Sequence, residues 1–157
     1  MKNNSGFTLI ELMVVLAIIG ITSAIAVPNM ISWRANYQLS GSAREVMSVI
    51  NGARLAAVKN NAMATLTFDA GARVLTTVIT NRVTGVDRTI TTPLKIGVDI
   101  SSAVFSGSNA FRFNSRGLPI KLADNNFASG TVTLTNAKGD SLQVIMASTG
   151  ATRIEKL

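Results

Sequence analysis

The chain has 157 residues, room for one modest domain and an appendage, and carries 15 Lys and Arg against 8 Asp and Glu, a formal charge of +7. It contains no cysteine and no histidine, which excludes disulfides, thiolate or imidazole metal ligands, a cysteine nucleophile and the commonest general base. The few acids are dispersed, so no catalytic carboxylate cluster, no metal site and no cofactor is expected, and an enzyme is the least supported class.

The first element is apolar. Phe7 to Val27 is a run of 21 residues whose single charge is Glu11. As a helix it spans roughly 30 Å, the thickness of a bilayer's hydrocarbon core. Lys2 precedes it, which keeps the short end cytoplasmic and sends the remainder outward. A plain transmembrane anchor and a secretory signal peptide both compete for this segment. Ala24-Ile25-Ala26 offers a cleavage pattern for the second, but the run exceeds the usual 7–15 residues of a signal peptide. Neither explains an acid in an apolar helix, where a charge at the bilayer centre costs about 2.5–3.5 kcal/mol.

The stretch Gly6-Phe7-Thr8-Leu9-Ile10-Glu11 resembles the processing site of type IV prepilins and of the related pseudopilins of type II secretion. The resemblance implies a leader, residues 1–6, cut after Gly6 by a prepilin peptidase/methyltransferase that then methylates the new amine of Phe7. An α-amine of the ordinary kind is largely protonated at neutral pH. Glu11 lies one helical turn from it and can meet that charge, or, as the resemblance implies, the amine of a neighbouring subunit in a growing filament. Residues 7–28 are then a transmembrane and assembly helix. Gly20 and Pro28 bracket an expected weak segment, because Pro28 lacks an N–H and Gly20 costs about 1 kcal/mol of helix propensity relative to Ala.

Beyond Pro28 the pattern becomes amphipathic. Ile31, Ala35, Leu39, Val46, Ile50, Ala53 and Ala57 recur at spacings of three, four or seven, which predicts a helix over 29–60 with one face to cover. Gly41 and Gly52 predict a bend or close packing, and Asn60-Asn61 predicts the stop. The period then changes to two. Leu66 and Phe68 share a face; so do Val74, Thr76 and Val78. Phe111 and Phe113 point inward with Arg112 outward, followed by Val132 and Leu134, then Leu142, Val144 and Met146. Between 80 and 108 short strands are expected near Thr89–Thr91 and Lys95–Ile100. Asp69-Ala70-Gly71, Arg116-Gly117-Leu118-Pro119 and Lys138-Gly139-Asp140 are turn signals, the last joining a hairpin. The fold class is α+β: a long N-terminal helix, transmembrane and then amphipathic, packed on an antiparallel β-sheet or β-sandwich-like globular domain over 29–157.

The stretches "ARLAAVKNNA", "FNSRGLP", "TLTNAKGDSLQVIMASTG" and "TRIEKL" extend the resemblance to the GspH/FimT group of minor pilins and pseudopilins. That group implies a structural filament subunit that helps initiate or cap a type IV pilus or a type II secretion pseudopilus. Its implied partners are other pilin or pseudopilin subunits, an inner-membrane assembly platform and, before assembly, membrane lipid. The implied location is the bacterial inner membrane in a single pass, with the C-terminal domain in the periplasm, and then the filament. Nucleic acid is the alternative partner, since some FimT-like pilins bind DNA through a C-terminal arginine pattern. Here Arg153 and Lys156 are the candidate contacts, and Glu155 places a repulsive charge between them.

Overall fold

The computed structural model describes residues 7–80 and 87–157. The chain divides into two units, Met1–Arg34 and Ala35–Leu157. Helix α1, Leu9–Lys59, contributes to both.

In the first unit α1 is exposed along its described length, apart from a half-buried Ser32. Its N-terminus is capped by Thr8, whose Oγ1 accepts the Glu11 N–H at 3.3 Å. Pro28 sits inside the helix without ending it. The hydroxyls of this segment bond to their own backbone. Thr22 Oγ1 donates to the Ile18 and Ile19 carbonyls at 2.9 and 3.1 Å, and Ser32 Oγ to the Pro28 carbonyl at 3.3 Å.

In the second unit α1 buries a stripe formed by Leu39, Ser42, Ala43, Val46, Ile50, Ala53 and Ala57. The stripe follows the predicted spacing from Leu39 onward; Ile31, expected on it, is 60% exposed. Gly41 shows the expected close packing, beneath the Lys95 side chain, whereas Gly52 faces open space. The helix stops where the asparagines predict. Asn61 takes φ +46°, the Ala62 N–H returns to the Ala57 carbonyl at 2.9 Å and the Asn61 N–H to Val58 at 3.2 Å. This is a Schellman cap, sealed by the buried pair Ala57 and Ala62.

Among the described residues nine strands follow: β1 Met63–Asp69, β2 Val74–Thr80, β3 Asp87–Pro93, β4 Val98–Phe105, β5 Ala110–Phe113, β6 Pro119–Ile120, β7 Gly130–Asn136, β8 Ser141–Met146 and β9 Thr152–Lys156. They form two antiparallel sheets, β3-β2-β1-β5-β6 and β4-β7-β8-β9. The helix stripe and residues of both sheets share one core. Phenylalanines tie the sheets together. Phe105 of β4 lies 5.0 Å from Phe68 of β1 and 4.5 Å from Phe111 of β5, measured between ring centroids. Packed aromatic pairs of this kind contribute about 0.5–1.5 kcal/mol beyond their buried area.

Three expectations need correction. On β2 the buried side chains are Leu75, Thr77 and Ile79, while Val74, Thr76 and Val78 occupy the other face, half-buried. Alternation offered two faces of similar hydrophobicity, and pairing of Leu75 with Phe68 and Thr77 with Leu66 settled which one meets the core. Strand β3 is longer than Thr89–Thr91, and the segment read as Lys95–Ile100 becomes a strand only at Val98 and runs on to Phe105. A β-bulge between Ile100 and Ser102 shifts the alternation, so that Val98, Ile100, Ala103 and Phe105 all face inward. That break in period hid the strand. Residues 81–86, within the stretch of unclear sequence pattern, lie outside the described residues. Strands β6 and β9 carried no sequence signal: β6 has two residues, and β9 alternates charge with Thr152 and Ile154.

Candidate functional site

The residues singled out from sequence fall at three places. Gly6 lies outside the described residues. Phe7 stands just before α1, 87% exposed, and Glu11 is the third residue of the helix, also exposed. Thr8 caps the helix at Glu11 through the Glu11 backbone N–H, so the carboxylate itself takes no part in that hydrogen bond. An acid in the first helical turn also faces the positive end of the helix dipole. That placement favours the helix start whatever ionic partner the carboxylate meets. Gly20 and Pro28 lie within continuous helix, and a Cβ at Gly20 would meet nothing within 4 Å.

Around these positions α1 exposes Leu9, Ile10, Leu12, Met13, Leu16, Ile18 and further apolar residues on all its faces, a pattern that water does not tolerate over such a length. By length and hydropathy this helix is able to cross a membrane.

The second place is where the helix, the β5–β6 turn and the β8–β9 turn converge. Gly117 has φ +73°, and a Cβ there would sit 3.0 Å from Val58 Cγ2 and 3.2 Å from Arg54 Nε. Asn114 Oδ1 shapes that turn, accepting the Arg116 and Leu118 N–H groups at 3.0 Å each. Arg54 Nη1 donates to the Gly150 carbonyl at 3.4 Å. The "FNSRGLP" and "STG" stretches thus close both sheets onto the helix, which is a packing role. At the opposite edge of the first sheet, a groove of about 470 Å³ runs between α1 and the edge strand β3. It is floored by Leu55, Ala56, Ile79 and Ile90 and flanked by Lys59 and Arg88. Neither feature gathers acid–base pairs. Among the described residues no group of three potential metal ligands comes together.

The third place is β9. Arg153 and Lys156 are three residues apart on a strand, so they project to opposite faces. Arg153 Nε pairs with Glu155 at 2.7 Å, while Lys156 lines a small pocket with Asn36 and Asp140. The two cations do not form one patch, and no other feature of β9 supplies the several phosphate contacts that DNA affinity needs.

Comparison with known proteins follows the same division. Residues 1–27 match the prokaryotic N-terminal methylation motif, and residues 42–150, more than half of the chain, match the family described as Type II transport protein GspH. A fimbrial protein of Pseudomonas aeruginosa is 46% identical over 56 residues, covering 36% of this chain and 36% of that relative. A type IV major pilin protein, PilA, of Myxococcus xanthus is 62% identical over 37 residues, covering 24% of this chain and 17% of that protein. The chain thus spans about a third of the Pseudomonas relative and less of the Myxococcus one. In fold it is similar to the minor pseudopilin EpsH of the Vibrio cholerae type 2 secretion system, with a TM-score of 0.57 at 14% identity. That likeness covers 76% of this chain and 97% of the other.

Proposed function

Because the chain belongs to the GspH family of type II transport proteins, we propose that it is a minor pilin or pseudopilin, a structural subunit that enters a filament through α1 and helps to start or cap it. The observation that carries this reading is one chain with two unlike parts. An all-round apolar helix follows a methylation motif, and a separately packed α+β unit has its own complete core.

In this reading residues 1–6 are a leader removed after Gly6, and Phe7 becomes the methylated amino terminus. Residues 7–28 are the membrane and assembly helix, and residues 29–157 form the periplasmic domain. The chain is held in the bacterial inner membrane until an assembly platform draws it into the filament beside other pilin-like subunits. Glu11 pairs with a chain-terminal ammonium there, since an unpaired carboxylate in a dry helix bundle is strongly unfavourable. The segment from Gly20 to Pro28 is where the helix gives way on assembly, because Pro28 leaves the Ala24 carbonyl without its helical donor.

A substitution that changes only the charge makes a sharp test possible. Gln at position 11 keeps the side chain's size and polarity, leaves the Thr8 cap to the backbone N–H untouched, and removes the charge. Glu11→Gln is expected to be cleaved normally, with mass spectrometry finding a methylated Phe7 terminus, and to be lost from sheared filaments. Normal incorporation of Glu11→Gln, together with failure of Glu11→Leu, would mean that assembly needs a polar side chain at position 11 and not its charge. A natural chain that starts at Met1 or at Val27 would remove the pilin-like reading altogether.

A further inference from the structure

We propose a bilayer register for α1 before assembly: the hydrocarbon-spanning segment is Leu12–Ile31, Glu11 lies at the cytoplasmic headgroup level, and Trp33 and Arg34 engage the outer headgroup region. The proposal rests on the membrane-anchored reading above and adds to it the position of the helix and the lipid surface it binds.

Between Glu11 and Arg34 the sequence carries no charge. Leu12–Ile31 is 20 residues, about 30 Å of helix, which matches the hydrocarbon core. If the span were instead Phe7–Val27, Glu11 would be drawn a full turn into hydrocarbon. Met30, Ile31 and Trp33, which are 68%, 60% and 68% exposed, would stand in water. Moving the register outward by one turn removes both penalties at once.

Thr22, next to the midpoint of the shifted span, donates its hydroxyl to two carbonyls of its own helix, so this donor is not left open where water is absent. Asn29 falls within a turn of the outer boundary. Just past that boundary comes Trp33, the single tryptophan of the chain, and an indole favours the interface because its ring is apolar and its N–H is polar. Arg34 follows it, exposed, at the height of lipid phosphates. In this register the first turn, with Phe7 and Glu11, stays at the wet cytoplasmic boundary. The carboxylate crosses into a dry environment only when a subunit ammonium is there to meet it.

Trp33 is its own probe. The full chain is reconstituted into vesicles of phosphatidylethanolamine and phosphatidylglycerol whose acyl chains carry bromine either near the headgroup or near the bilayer centre. Trp33 emission is expected to be blue-shifted from its value in water and quenched more strongly by the shallow bromines. In a Trp33→Phe background, Ile21→Trp should reverse that order, and Leu12→Trp should return to the shallow pattern. Quenching of Trp33 by aqueous iodide with no response to either lipid would overturn the register in favour of Phe7–Val27. Stronger quenching by the deep bromines would overturn it in the opposite direction. Failure of the chain to float with the vesicles would refute the membrane reading itself, and the register with it.

Discussion

Leu9 to Arg34 and Ala35 to Lys59 are stretches of one α-helix, yet they are held for opposite reasons. The later stretch is amphipathic and buries a stripe that includes Val46 and Ile50, both fully covered within the second unit. The earlier stretch exposes apolar side chains on every face. For the later stretch the stabilising partner is the chain's own sheets, since a buried Ile or Val contributes about 1.5–3 kcal/mol. The earlier stretch is apolar all round, the pattern of a helix stabilised where lipid or other helices replace water. The lesson is that identical backbone geometry can report a folding element in one place and a docking element in another, and only burial separates them.

The contrast is broken or sharpened by substitution, and the largest effect belongs to the buried stripe. Ile50→Ala should cost about 2–5 kcal/mol of domain stability, from lost transfer energy and the cavity left behind. Ile21→Ala, 66% exposed in wild type, should leave that stability unchanged. Urea unfolding in mild detergent, followed by circular dichroism, compares the two; similar losses would mean that the two stretches fold as one unit.

Gly130→Ala tests the sandwich that covers the stripe. A Cβ at that position would press into the Val104 carbonyl oxygen and into Phe105, which are backbone and core rather than a flexible tip. A loss of about 1–3 kcal/mol or more is expected by the same measurement. Unaltered stability would show that β4 and β7 can separate there without cost.

Pro28→Ala sharpens the contrast from the other side. It restores a backbone donor to the Ala24 carbonyl and a good helix former to the helix interior. Hydrogen exchange in detergent should show stronger protection between Gly20 and Asn29, with the urea transition unmoved. Unchanged protection would mean that this segment is not weakened by the proline.

The smallest effect lies in a surface loop. Asp124 accepts the Asn126 N–H at 3.0 Å, and this hydrogen bond, aided by Lys121, holds its carboxyl below the usual aspartate range. A folded-state pKa below the unfolded one contributes stability that is present above the unfolded value and lost as pH falls through the folded one. Asp124→Asn should slightly flatten the acid limb of the stability–pH profile, and a steeper limb would contradict the assignment.

Much of this was readable before any coordinates. The apolar run, the Gly-Phe-x-x-x-Glu pattern and the stripe from Leu39 to Ala57 are local signals, written at helical spacing. The stop at Asn60-Asn61 followed from the ease with which Asn adopts positive φ. Phe113, Val132 and Leu134 were legible as strand core because their neighbours are polar. On β2 that rule failed, since Val74, Thr76 and Val78 differ little in polarity from Leu75, Thr77 and Ile79. In β4 the bulge after Ile100 interrupts the very period by which a strand is recognised.

The sequence by itself determined the elements whose cause is local: a helix that water cannot solvate, a second helical stretch with one apolar face, and turns at residues that tolerate positive φ. The tertiary structure alone decided what depends on pairing across the chain. It placed the described strands in two sheets, chose the inner face of β2, set Arg54 against Gly117 and Gly150, and separated Arg153 from Lys156. Periodicity states which residues can share a face, but which face is buried is fixed only when a partner strand or helix removes it from water.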